Sequence, residues 1–226
     1  MALPTHTTRL LSNISEVRRL LEIHEKLTGK GPGKRHNVQV LNKSAIILLV
    51  ACWEAFVEDL CEAAFNFMLK EAPAHSAFPD SVLARVGSKH QGLKAWDLAG
   101  VGWKVALQNH RKEVLARTTD KLNTPAAEQV KQLFQKTIGL DDLDTAWHWY
   151  GKTVSGSAAT LNGLVKLRGS IAHRVQASEA VWKKTVLAHI KFVRYLAVRS
   201  TNHVRAYVHK QTGKDPWPGV KLGKVQ

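Results

Sequence analysis

Cysteine is scarce in this chain: Cys52 and Cys61 are the only two in 226 residues. On one helix, nine residues set them about 13 Å apart on opposite faces, so they cannot bridge each other. Two lone thiols also cannot make a Cys-rich zinc site, and neither His-Glu-x-x-His nor another tight ligand cluster occurs. No metal is expected, and both cysteines read as small buried hydrophobes. Gly-x-Gly-x-x-Gly, a Walker loop and a Gly-x-Ser-x-Gly elbow are missing as well, which removes the common nucleotide-binding and acyl-transfer signatures and leaves no cofactor to expect. The Gly-Lys-Gly-Pro-Gly-Lys run at 29–34 lacks the Lys-Ser/Thr ending and a preceding strand, and reads as a flexible basic loop. Long apolar runs are wanting too. The longest, Ala45 to Trp53, is about half of what a bilayer requires, and Glu54 and Glu58 follow at once, so no membrane partner is expected. The opening Met-Ala-Leu-Pro-Thr-His has no basic segment leading an apolar signal core, which points to the cytoplasm.

Negative charge is the scarcer sign. Asp and Glu number 18 against 33 Lys and Arg, a formal net charge of +15. The imbalance is steepest at the C-terminal end, where Asp215 is the only acid beyond Glu179, among Lys183, Lys184, Lys191, Arg194, Arg199, Arg205, Lys210, Lys214, Lys221 and Lys224. A polyanion suits such a field, and nucleic acid leads because released counterions favour binding without any base contact. The bland alternative is a solvated basic helix face that binds nothing specific. An acidic membrane surface ranks below both, because no apolar interfacial residues accompany the cations.

The sequence does have helical periodicity. Apolar residues recur at three and four throughout, which predicts an all-α helical bundle with long central and C-terminal helices. Leu10, Ile14, Val17 and Leu21 share one face of a first helix over 7–27. The second, over 38–71, is apolar around its whole circumference between Ala45 and Trp53, a pattern a helix tolerates only when neighbours enclose it. Shorter helices are predicted near 103–117 and 125–138, with Trp96, Trp103, Trp147 and Trp149 read as core rather than as ligand-stacking rings. A linker at 151–157 opens a helix over 158–175, and a last long helix covers 178–210. The expected organisation is a single domain over 1–210 and a basic, mobile tail over 211–226.

The oddest placement falls in Leu161-Asn-Gly-Leu-Val-Lys-Leu-Arg168-Gly-Ser-Ile-Ala-His173-Arg174. On a helical wheel, Leu161, Leu164, Val165, Ile171 and Ala172 span about 280° to 40°, and Arg168 falls near 340°, inside the apolar stripe. A guanidinium taken from water wants an anion, either a protein carboxylate or a phosphate. His173 lies about 140° around from Arg168, near the helix end. Lys166 and Arg174 add positive charge beside it. Arg-x-x-x-x-His also occurs at Arg19 to His24 and Arg85 to His90, so spacing alone does not select Arg168 and His173; the apolar helix before them and the basic flank do.

Leu167-Arg-Gly-Ser-Ile-Ala-His173, together with Ala51-Cys-Trp-Glu-Ala-Phe-Val-Glu-Asp-Leu60, resembles the HEPN superfamily, especially its RiboL-PSP-like branch. The resemblance implies a helical bundle that pairs as a homodimer. It also implies a metal-independent ribonuclease of toxin–antitoxin, phage-defence or RNA-processing systems, with an antitoxin or defence-system protein as a further partner. The arginine and histidine of the family's Arg-x(4–6)-His motif carry over to Arg168 and His173, with Ser170 between them in a supporting place. The family usually has a polar residue, often Asn, after the arginine; here it is Gly169. The family's acidic residue on the earlier helix corresponds to Glu54, for which two readings stand: a partner for an active-site base, or one member of a solvated ridge with Glu58 and Glu62. RNA contacts are expected from Lys166, Arg174, Lys183 and Lys184.

RNA carries its own nucleophile, so a catalyst need only remove the 2′-OH proton, stabilise the phosphorane and help the 5′ oxygen leave. A histidine and an arginine fork suffice for that. Two other readings compete: a HEPN-type nucleic-acid-binding or adaptor protein without cleavage, and a helical interaction protein whose Arg168 pairs with an internal carboxylate.

Overall fold

The computed structural model describes residues 2–28, 39–119, 125–174 and 180–225. The chain is all-α: helices α1 (Thr5–Thr28), α2 (Gln39–Glu71), α3 (Asp80–Gly87), α4 (Gly102–Thr119), α5 (Ala127–Ile138), α6 (Val154–Arg174) and α7 (Lys183–Thr212). Among the described residues there is no strand, only an isolated bridge between Trp149 and Lys152. The basic run at 29–34 and the expected helix ends at Val38, Val175 and Ser178 lie outside the described residues.

Leu10, Ile14, Val17 and Leu21 are all buried, and α1 lies along α2 through them. Helix α2 is the axis of the fold. Ala45, Ile46, Leu49, Val50, Cys52 and Trp53 are buried against α1, α5, α6 and α7. Alone among the described residues it is long and apolar enough to cross a membrane, and half of its most apolar stretch is buried in the fold. Its circumference is not fully enclosed, however: Leu48, Ala51 and Ala55 stay exposed, because the neighbouring helices leave one strip open. Buried indoles are hydrogen-bonded, as burial of an N–H requires. Trp53 Nε1 donates to Pro125 O at 3.1 Å, and Trp147 Nε1 donates to Ser200 Oγ at 2.9 Å. Trp96 departs from the expected core role. It is 78% exposed, in a 3-10 turn over Gly92–Leu98 with no buried side chain.

Two boundaries move for local reasons. The stretch expected to be a linker at 151–157 is helical from Val154, because Thr153 caps it: the Gly156 N–H donates to Thr153 Oγ1 at 3.1 Å. Asn162, about two and a half turns on from Thr153, accepts from the Ala127 N–H at 3.0 Å and so caps α5 from a distance. At the other end, the segment expected to stand off as a tail folds back on the bundle. Gly213 ends α7 in the left-handed region at φ 73°. Trp217 and Val220 are then buried, with Asn202 donating to Val220 O and accepting from Val220 N, both at 2.8 Å. Arg205 Nε donates to Trp217 O at 2.7 Å, and Lys214 pairs with Glu71 at 2.7 Å.

Candidate functional site

Helix α6 docks on α2 through Leu161, Leu164, Val165 and Ile171, each buried and each contributing roughly 1.5–3 kcal/mol by leaving water. Arg168 sits half-buried in that same face, while Ala172 and His173 are exposed. Gly169 and Ser170 are half-buried. Apart from the exposed Ala172, the stripe read from the wheel is therefore the docking face, and the half-buried guanidinium lies within it.

Opposite lies α2. The Glu54 carboxyl is pushed above its ordinary range, first by burial and then by the neighbouring Glu58, while the Arg168 guanidinium pulls it back down. The fold thus sets Arg168 close enough to Glu54 for its charge to act on the carboxyl. The rest of the acidic ridge is not simply solvated: Glu62 pairs with Arg111, and Glu58 is half-buried, its pKa raised by burial and by Asp59 and Glu62.

His173 is not brought to the same place within one chain. Five residues on from Arg168, it is displaced by about 7.5 Å along the axis and about 140° around it. Ser170 Oγ donates to Lys166 O at 3.1 Å, a bond to the preceding helical turn. Lys166 and Lys184 are exposed. Lys183 is engaged in an ion pair with Glu25 of α1, a pairing of residues distant in sequence that no local pattern announces. The side chain of Arg174 lies outside the described residues.

Cys52 and Cys61 are buried, as the sequence suggested, and burial pushes their thiols up to about 11 and about 12. They stay protonated and unreactive at neutral pH. Among the described residues no three His, Cys, Asp or Glu side chains are placed to share a metal ion. Sequence reasoning gave Arg194 only as one cation of the C-terminal basic field; its half-buried guanidinium is made less basic by burial and by Arg18 of α1. Its isolation from acids on α7 was visible in the sequence; its meeting with α1 was not.

No curated protein and no solved structure gives a match to this chain. A profile of the family described as RiboL-PSP-HEPN matches residues 9–204, which takes in most of α1 through most of α7 and both blocks that carry Glu54 and Arg168. The chain belongs to the RiboL-PSP-HEPN family, a nuclease-like, RNA-related group of HEPN domains.

Proposed function

We propose that the chain is a metal-independent endoribonuclease working as a homodimer in the cytoplasm, in a toxin–antitoxin, phage-defence or RNA-processing role. The observation that carries this reading is the placement of Arg168: a half-buried guanidinium within a docking face, its charge felt by Glu54, with exposed His173 and Lys166 on the same helix. A guanidinium fork matches the oxygens of a phosphate. His173 takes the 2′-OH proton, Arg168 holds the non-bridging oxygens of the phosphorane, and protonation of the 5′ oxygen releases the product. The ends are a 2′,3′-cyclic phosphate and a 5′-hydroxyl. Because Arg168 and His173 diverge on one helix, a two-fold partner that sets a second pair opposite the first supplies the missing group.

Purified protein incubated with mixed RNA and excess chelator is expected to cut, and His173→Ala and Arg168→Ala are expected to cut at least about a hundredfold more slowly. Equal cutting by all three removes the proposal. A second reading, an RNA-binding HEPN protein without cleavage, draws on Gly169, which stands where the family usually has a polar side chain. It predicts salt-sensitive RNA retention with no cutting by any of the three proteins.

A further inference from the structure

The turn that leads into α6 carries an aromatic ring that the core does not use. Trp149 and Lys152 exchange backbone hydrogen bonds, 3.1 Å from Trp149 N to Lys152 O and 2.8 Å from Lys152 N to Trp149 O. Gly151 between them takes φ 75°, a conformation that favours glycine. This closed turn holds Tyr150 at its tip, 104% exposed. Behind it, the Trp149 ring lies 5.1 Å from Tyr195 of α7, centroid to centroid. Lys191 Nζ stands 5.9 Å from the Tyr195 ring and Lys152 Nζ 5.8 Å from that of Phe192. Among the described residues no carboxylate pairs with Lys191 or with Lys152, whose Nζ donates to Thr160 Oγ1 at 2.6 Å.

We infer that the Tyr150 turn and the adjoining face of α7 form a platform for single-stranded RNA, with bases stacking on Tyr150 beside Tyr195 and phosphates held by Lys152 and Lys191. The exposed Tyr150 ring next to cations matches a strand whose π-faces and phosphates alternate. A duplex hides its base faces, and an acidic peptide or lipid headgroup gives the rings no flat partner. The platform is separate from the proposed cleavage site, since α6 rises about 21 Å between Val154 and Arg168. It would hold the strand flanking the cut. The choice of RNA among polyanions rests on the ribonuclease reading.

The test is fluorescence anisotropy of a labelled polypyrimidine RNA of about ten nucleotides, with the full chain in a His173→Ala background so that cutting does not interfere. Tyr150→Ala is expected to weaken binding about tenfold and Tyr150→Phe to leave it unchanged, since stacking needs the ring and not the hydroxyl. Lys191→Gln is expected to reduce the slope of log K against log salt by about 0.7, one phosphate contact. Equal RNA affinity in Tyr150→Ala and its parent overturns the platform. So does Tyr150-dependent binding to vesicles of equal phosphatidylcholine and phosphatidylserine without RNA retention. The two readings fail separately: Tyr150-dependent retention by a chain that never cuts keeps the platform and removes the nuclease, and cutting with Tyr150-independent binding does the reverse.

Discussion

The Glu54 carboxyl on α2 and the Arg168 guanidinium on α6 act on each other, joining the two short sequence blocks that carry the family resemblance. Burial and Glu58 favour the protonated acid, and Arg168 favours the carboxylate. Replacing Arg168 with Gln removes the opposing charge, so Glu54 is expected to titrate at higher pH in Arg168→Gln than in the parent, with Arg168→Lys closer to the parent. Carbon-detected NMR titration of the glutamate carboxyls reads this directly. An unchanged Glu54 midpoint in Arg168→Gln would mean that the two side chains do not meet in solution.

His6 provides an acid-sensitive link between the chain's two ends. It is buried, its ring 4.8 Å from that of Trp217 and 5.9 Å from that of Phe56, with Nε2 3.4 Å from Thr201 Oγ1. Burial pulls its pKa down to about 4 from 6.5. The sign follows from linkage: the unfolded chain takes up the proton first, so the contribution is complete above about pH 6.5 and declines as pH falls towards 4, by about 3 kcal/mol at most. Urea unfolding across that window should show a shallower loss for His6→Gln than for the parent, even if the variant starts less stable. Parallel slopes would place the acid sensitivity elsewhere.

Asn202 holds the C-terminal segment by pairing with both backbone groups of Val220. Asn202→Ala leaves that N–H and C=O without partners, a loss of about 1–3 kcal/mol confined to the clasp. Faster trypsin cleavage at Lys210, Lys214 or Lys221, with far-UV circular dichroism unchanged, is the expected result. Cleavage at the parent's rate would show that Trp217 and Arg205 hold the segment without Asn202.

That clasp marks where the sequence stops being legible. The α1 stripe from Leu10 to Leu21 and the apolar α2 could be read because period and composition are local properties. The segment after Gly213 could not: Pro216, Pro218 and its lysines read as tail, while Trp217 packs on His6, far away in the chain, and donates to Thr201 O on α7. The α6 start was hidden by Ser155, Gly156 and Ser157, which resemble linker residues until Thr153 is seen capping them. At the candidate site, Arg168 stood out as a charge in an apolar stripe. Glu54 came into view only through the family resemblance, and the engagement of Lys183 with Glu25 is a tertiary fact that no window of sequence contains.

Gly169 offers a test that separates helix stability from chemistry. A Cβ added there meets no atom within 4 Å, so the position has room for a side chain. Gly169→Ala is expected to stabilise the fold by about 0.5–1 kcal/mol, because glycine has more backbone freedom to lose in a helix. Gly169→Asn restores the polar group the family usually places after the arginine, at a smaller gain in stability. If that group helps hold the phosphate or aim Arg168, the Asn variant cuts RNA faster than the parent in the presence of chelator, while the Ala variant keeps the parent's rate. A rise in both would trace the effect to helix order. A fall in the Asn variant alone would mean that the site has been shaped around the absence of a side chain, with the strand passing close to the backbone at Gly169.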